Sequence, residues 1–137
     1  MSLFFEVPLQ PVGKGRPRFT RYGHAYTPTK TRDYEKAVAQ AFRAAYPDHA
    51  PLSGPVSVEV YAFFAIPESW TKRKREAAFA GGVPHIGRPD ADNCLKIVTD
   101  ALNGLAFNDD AQITDVSVQK RYASRPRVEV NITAGRE

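Results

Sequence analysis

Apolar residues recur with a period of two near both ends of the chain and with a period close to 3.6 between them. Residues 3–9 predict a first strand. Residues 56–66, VSVEVYAFFAI, combine β-branched and aromatic side chains, the composition that suits a pleated, half-buried surface. Val116, Val118, Val128, Val130 and Ile132 carry the alternation through two further strands, 112–122 and 128–133, joined by a turn near Ser124. The first helical stretch opens at Thr31 or Asp33 and runs to about Tyr46, with Tyr34, Val38, Ala41, Phe42 and Ala45 on its apolar side. Pro47 stops it. A short basic helix follows in SWTKRKREAAFA, capped by Ser69 or Thr71, and the loop GGVPHIGRP leads into a third helix. Gly23 permits a tight turn between aromatic residues and predicts a hairpin across Tyr22, Gly23 and His24. Strands at both chain ends with helices between them predict an α+β layer fold. This is a small mixed or antiparallel sheet with helices packed against it, in one domain over residues 1–137.

The third helix, in GRPDADNCLKIVTDALNG (87–104), separates its faces most cleanly. Pro89 disfavours helix at Arg88 and suits a helix start. Asp90 then leads in, Asp92 stands at or near the N-cap, and Gly104 ends the helix after Asn103. At about 100° per residue, Asp92, Asn93, Lys96, Thr99, Asp100 and Asn103 share one arc. Cys94, Leu95, Ile97, Val98, Ala101, Leu102 and Leu105 fill the opposite one, which makes Cys94 a core residue. An N-cap accounts for Asp92, and an i,i+4 ion pair with Asp92 or Asp100 accounts for Lys96. Neither accounts for Asp90, nor for the second acidic pair, Asp109 and Asp110 in FNDDAQI, which just precedes a strand.

Charge sharpens this picture. Between residues 13 and 43, Lys14, Arg16, Arg18, Arg21, Lys30, Arg32, Lys36 and Arg43 face only Asp33 and Glu35 in sequence. Between residues 90 and 115 there are six Asp and one Lys. Basic surface that holds a polyanion and an acidic pocket that holds a cation would segregate charge in this way, and so would two solvated faces. If the strand after Asp110 returns beside the helix N-terminus, one of Asp109 and Asp110 meets Asp90 and Asp92. Three converging carboxylates repel unless a cation joins them. All-oxygen ligands without Cys or His select Mg²⁺, with Mn²⁺ as the alternative, over Zn²⁺. A lone cysteine among 137 residues fits a reducing cytoplasm. No apolar run reaches the ~18 residues of a membrane span, and MSLFFEVPL reads as a strand rather than a signal peptide.

The run RPDADNCLKIVTDALNG…NDDAQI resembles the RusA family of Holliday junction resolvases. That family pattern has Arg-Pro-Asp-x-Asp-Asn, a Lys four residues after the second Asp, Asp-Ala-Leu-Asn-Gly and then Asp-Asp-x-Gln. KGRPRFTRYGHAYTPTKTRDYE resembles the family's opening segment, so the likeness covers roughly residues 11–120. The chain departs from the pattern at Cys94, where a bulkier aliphatic is usual, and at Phe107, where Trp or Tyr is often found.

The resemblance implies a RusA-like, dimeric, Mg²⁺-dependent endodeoxyribonuclease that resolves four-way DNA junctions by paired nicks in recombination and repair. By position, it makes Asp90, Asp92 and Asp110 the metal ligands and Lys96 the catalytic lysine. Asp109 is left with a turn role, and Asp100 is a structural partner for Lys96. Lys14, Arg16, Arg18, Arg21, Lys30 and Arg32 would hold DNA backbone, with Lys72, Arg73, Lys74 and Arg75 as a second basic patch. Phe19, Tyr22 and Tyr26 read as hairpin packing rather than base-stacking platforms. His24, His49 and His85 take no catalytic role, and Trp70 packs. Two other classes compete: a junction-binding protein that has lost catalysis, and a metal-dependent nucleotide phosphohydrolase.

Overall fold

The structure, a computed structural model, describes residues 1–135. In chain order the elements are β1 (Ser2–Val7), β2 (Arg18–Phe19), β3 (Ala25–Tyr26), α1 (Thr29–Ala45), β4 (Val56–Ala65), α2 (Lys72–Phe79) and α3 (Ala91–Leu102). A 3-10 turn (Asp110–Gln112), β5 (Ile113–Ala123) and β6 (Arg127–Ala134) complete the described chain. Four strands form one mixed sheet in the order β1-β6-β4-β5, with β4 and β5 parallel and the other pairs antiparallel. β2 and β3 form the small hairpin expected around Gly23, whose φ of 82° is the left-handed value that glycine tolerates.

The short connection after β5 predicts neighbouring strands, yet β4 lies between β5 and β6. The reason is burial. Val56, Val58, Val60, Ala62 and Phe64 of β4 are all buried, so this strand takes a central position and β5 becomes an edge. Phe5 of β1 and Val60 of β4 both stand opposite Val130 of β6, which registers the apolar face across the sheet. Onto that face pack Tyr34, Val38 and Phe42 of α1 and Ile97, Val98 and Leu102 of α3. The fold is therefore α+β in two layers.

Helix boundaries differ from expectation in informative places. α1 begins at Thr29 after Pro28, so Thr31 lies inside it, buried, and its Oγ1 accepts a hydrogen bond from the Gly15 N–H at 3.1 Å. Thr71, not Ser69, caps α2, accepting from the Lys74 N–H at 3.2 Å. In α3 the N-cap is Asp90 and Asp92 falls in the first turn. Pro89 cannot continue a helical ladder on its N-terminal side, so the helix starts directly after it. Thr99, placed by periodicity on the polar arc, is buried, because its hydroxyl donates back to the carbonyls of Leu95 and Lys96 at 3.2 Å each. Asn103 and Gly104 (φ 77°) end α3 as expected. Among the described residues no helix is long and apolar enough to cross a membrane.

Candidate active site

The basic loop that precedes β2 lies against the first turns of both α1 and α3. Its two glycines make this approach possible. A Cβ on Gly13 would stand 2.5 Å from Pro89 Cβ, and one on Gly15 would stand 2.6 Å from Thr31 Oγ1. Between them the Lys14 N–H donates to the Asn93 carbonyl at 3.0 Å. The result is an open cleft of about 580 Å³ whose lining includes Arg16, Arg18, Lys30, Arg88, Asp90 and Asn93. Acidic and basic segments far apart in sequence thus share one surface.

Asp90 and Asp92 are both exposed, and neither carboxylate forms an ion pair among the described residues. Although Asp90 holds the N-cap position, its side chain makes no capping hydrogen bond. The ordinary structural use of an Asp at a helix start is thus absent here, and both carboxylates remain open to another ligand. Lys120 of β5 supports the loop before them, its Nζ donating to the Gly87 and Pro89 carbonyls at 2.7 and 2.9 Å.

Lys96, one turn beyond Asp92, pairs with Asp100 at 2.9 Å, as its i,i+4 spacing predicts. Asp100 also meets Lys14 at 3.1 Å, and Lys14 meets Glu35 at 3.1 Å. Lys14 lines the cleft with Arg16, Arg18 and Lys30, and its ammonium is held there by two carboxylates. Partial burial works against the charge of Asp100, but hydrogen bonds from Lys96 and Lys14 outweigh it and lower its pKa. Partial burial likewise opposes the charge of Lys14, and its bonds to Glu35 and Asp100 outweigh it and raise its pKa. A lowered carboxylate pKa contributes stability above its unfolded value, about 3.9, and that stability is lost as pH falls through the folded value. Melts of Asp100→Asn should accordingly show a smaller loss below about pH 4 than melts of the unaltered chain.

The other acidic pair lies elsewhere in the chain. The Asp110 N–H donates to Asn103 Oδ1 at 3.0 Å, which fixes Asp110 at the C-terminal end of α3. The 12 residues of α3 set its two ends roughly 18 Å apart. The strand gives the same answer: Lys120, at Pro89, lies about 23 Å along β5 from Ile113. β5 runs antiparallel to α3, so its start does not return beside the helix N-terminus. Among the described residues no three His, Cys, Asp or Glu side chains converge closely enough to hold a metal ion. The chain holds Asp90 and Asp92 as an open pair and Asp110 at a distance. Asp109 has the turn role expected of it: its side chain accepts from the Gln112 N–H, while Gln112 Oε1 accepts from the Asp109 N–H at 2.8 Å. Asp110 is exposed and forms no ion pair among the described residues.

The remaining basic residues divide. Arg16, Arg18, Arg21, Lys30 and Arg32 are exposed around the loop and hairpin. Lys72 and Arg75 of α2 line a separate cleft with Glu68 and Glu76, and Lys74 sits 3.9 Å over the Trp70 ring. Arg73 is exposed beside them. Arg88 joins the loop residues in the cleft; its place immediately before Pro-Asp is its one signal in the sequence, since a single Arg in a loop has no periodicity. Phe19, Tyr22 and Tyr26 do not pack within the hairpin. They are 69%, 77% and 48% exposed, because two residues per strand offer no core to bury them. Trp70 packs edge-on to Tyr122, and His85 stacks on Phe64. Cys94 is buried, and burial pushes its thiol up to about 11, so it is no nucleophile.

The two-layer α+β fold thus sets the exposed Asp90 at a helix start in one cleft with Arg16, Arg18 and Arg88, side chains whose chemistry suits phosphate groups. The model of the endodeoxyribonuclease RusA family matches residues 8–133, and the chain belongs to that family, whose members act on branched DNA junctions. It is also 39% identical over 133 residues, 93% of each chain, to the "Uncharacterized protein YqaN" of Bacillus subtilis (strain 168).

Proposed function

We propose that residues 1–137 act as one Mg²⁺-dependent endodeoxyribonuclease domain that resolves four-way DNA junctions by paired nicks as a homodimer in the cytoplasm. The observation that carries this reading is the single cleft in which the unpaired Asp90 faces Arg16, Arg18, Lys30 and Arg88. The arginines and Lys30 hold backbone phosphates, which gives affinity without sequence information. Asp90 and Asp92 offer oxygen ligands to Mg²⁺ or Mn²⁺; Asp110, at the far end of α3 within one chain, is the third acid only where the second copy of the homodimer brings it to them. Two carboxylates with substrate phosphate oxygens already suit Mg²⁺. When bound, the ion supplies Lewis acidity at the phosphate and lowers the pKa of its water. Lys96, held by Asp100, offsets negative charge that grows on the phosphate in the transition state. The exposed rings of Phe19, Tyr22 and Tyr26 offer stacking faces to unpaired bases at a branch point.

The reading is tested by incubating the protein with a four-way junction, a linear duplex and a nucleoside triphosphate, with and without Mg²⁺. Cleavage of the junction only with Mg²⁺ supports it. Triphosphate hydrolysis alone would make the protein a phosphohydrolase, and binding without cleavage would make it a silent junction binder.

Two substitutions examine separate parts of the site. Arg16→Ala or Arg18→Ala should weaken binding to all junction sequences and reduce the log–log salt slope by roughly one unit per lost duplex phosphate contact, read by titration across salt concentrations. Lys96→Met should slow single-turnover nicking on the order of 100-fold at saturating DNA and Mg²⁺, with junction affinity little changed. A lysine serving only its pair with Asp100 would cost about 0.2–0.5 kcal/mol of stability and no activity, which a thermal melt beside the rate measurement distinguishes.

A further inference from the structure

Behind the loop that leads into Asp90 lies a second open cleft, of about 650 Å³. It runs between residues 81–85 and the outer strand β5, and Ala91, the residue after Asp90, forms part of its wall. Arg88, Pro89 and Asp90 line the phosphate cleft instead. The chain from His85 to Ala91 therefore divides two cavities, and the acid at the helix start stands on their boundary.

The lining of the second cleft combines two kinds of surface. His85, Val118 and Tyr122 supply apolar and aromatic area. The His85 ring stacks on Phe64 at 3.7 Å and lies 5.1 Å from Tyr122, so one face is taken and the opposite face is left for a ligand. Burial, and then the charge of Lys120, lower the pKa of His85, which keeps the ring neutral at neutral pH. On the other wall the outer edge of β5 pairs with nothing among the described residues, and a free edge presents backbone N–H and C=O groups. Gln119 and Arg121 stand on this strand, the guanidinium donating to Gln119 Oε1 at 2.9 Å. Aromatic faces beside converging donors and acceptors suit a planar heterocycle with a polar edge.

The dividing loop carries a third feature. Ile86 is 90% exposed, more than any other large hydrophobic residue described. It is held there from both sides: His85 is stacked on Phe64, and the Gly87 carbonyl accepts from Lys120 Nζ at 2.7 Å. An aliphatic side chain fixed in solvent between two clefts has the form of the wedges that part stacked bases.

We propose that the second cleft holds one unstacked nucleobase of the strand whose phosphate lies beside Asp90. The base stacks on His85 with its polar edge toward Gln119 and Arg121, and Ile86 fills the gap left in the stack. Bases at a point of strand exchange are the least costly to extrude, because their stacking is already interrupted. This site rests on the nuclease reading and deepens it, since it gives the protein a means to choose where along a junction it acts.

Four-way junctions carrying 2-aminopurine in turn at each position around the point of strand exchange test it, because that base brightens when it leaves the duplex stack. Measured without divalent metal, the signal requires binding alone. One position should brighten with the unaltered protein. His85→Ala and Ile86→Ala should each lose most of the rise, whereas His85→Phe, which keeps a stacking face, should retain it. In Mg²⁺, junctions with each of the four bases at that position should be cut with a preference of about tenfold or more for one of them. Gln119→Ala and Arg121→Ala should bring the four rates toward parity.

No brightening at any position of a bound junction overturns the base site and leaves the nuclease reading standing. Brightening that survives both His85→Ala and Ile86→Ala overturns it as well. Brightening in a protein that cuts no junction keeps the base site and removes the nuclease reading instead. A shift to lower mass in sedimentation on Ile86→Ala or Arg121→Ala would assign the cleft to contact between copies and overturn the base site.

Discussion

Asp90→Asn should leave a protein that binds four-way junctions and does not cut them. The expected fall in single-turnover nicking is more than about 1,000-fold, beyond the 10- to 100-fold that lost supporting contacts to a metal ligand cost. The amide keeps the shape of the side chain, and the N-cap position loses nothing, because the Asp90 carboxylate makes no capping bond in the first place. Fold and melting temperature should therefore stay close to those of the unaltered chain. Junction affinity should hold or rise, since one negative charge is removed from a cleft lined by Arg16, Arg18 and Arg88. Mobility shifts and nicking rates on the same preparation read both quantities. Loss of binding in a folded variant would move Asp90 from the chemistry to the interface.

The two neighbouring acids should behave oppositely. Asp110→Asn should match Asp90→Asn, with nicking lost by more than about 1,000-fold and not restored by saturating Mg²⁺. Asp109→Asn should keep most activity. The structure explains the asymmetry: Asp109 is occupied in a reciprocal pair of hydrogen bonds with Gln112, which an asparagine side-chain oxygen also satisfies. Asp110 has only its backbone N–H engaged, by Asn103, and its carboxylate is exposed. Gln112 in turn donates to the Leu52 and Gly54 carbonyls at 2.8 Å each, so the turn that presents Asp110 is anchored from behind. Nicking against Mg²⁺ concentration for both variants makes the comparison, and the reverse ranking would transfer the role to Asp109.

Much of this is legible in the sequence because it depends on local rules. Pro89 and Gly104 bracket α3, the 3.6 period separates Cys94, Ile97 and Val98 from Lys96 and Asp100, and the i,i+4 pair forms where its spacing puts it. What stayed hidden depends on long-range arrangement. No local signal says that β4 inserts between β5 and β6, since their three-residue connection reads equally as a hairpin. Nor does spacing reveal that β5 runs antiparallel to α3, and that direction decides where Asp110 falls. The sequence places Lys14 among the basic residues of its loop but does not show its ion pairs, because Glu35 and Asp100 come from two different helices. The sequence predicts packed hairpin rings because aromatic residues usually find a core. β2 and β3 are too short to cover them.

The central claim is that this cleft cuts branched DNA through its acidic residues. The most direct measurement is single-turnover cleavage of a four-way junction labelled in turn on each strand, in Mg²⁺, beside a linear duplex of the same sequence. The account predicts nicks at symmetry-related positions on two opposing strands of the junction, little cutting of the duplex, and neither in the Asp90→Asn variant. Equal cutting of junction and duplex, or nicking that survives Asp90→Asn, would contradict it.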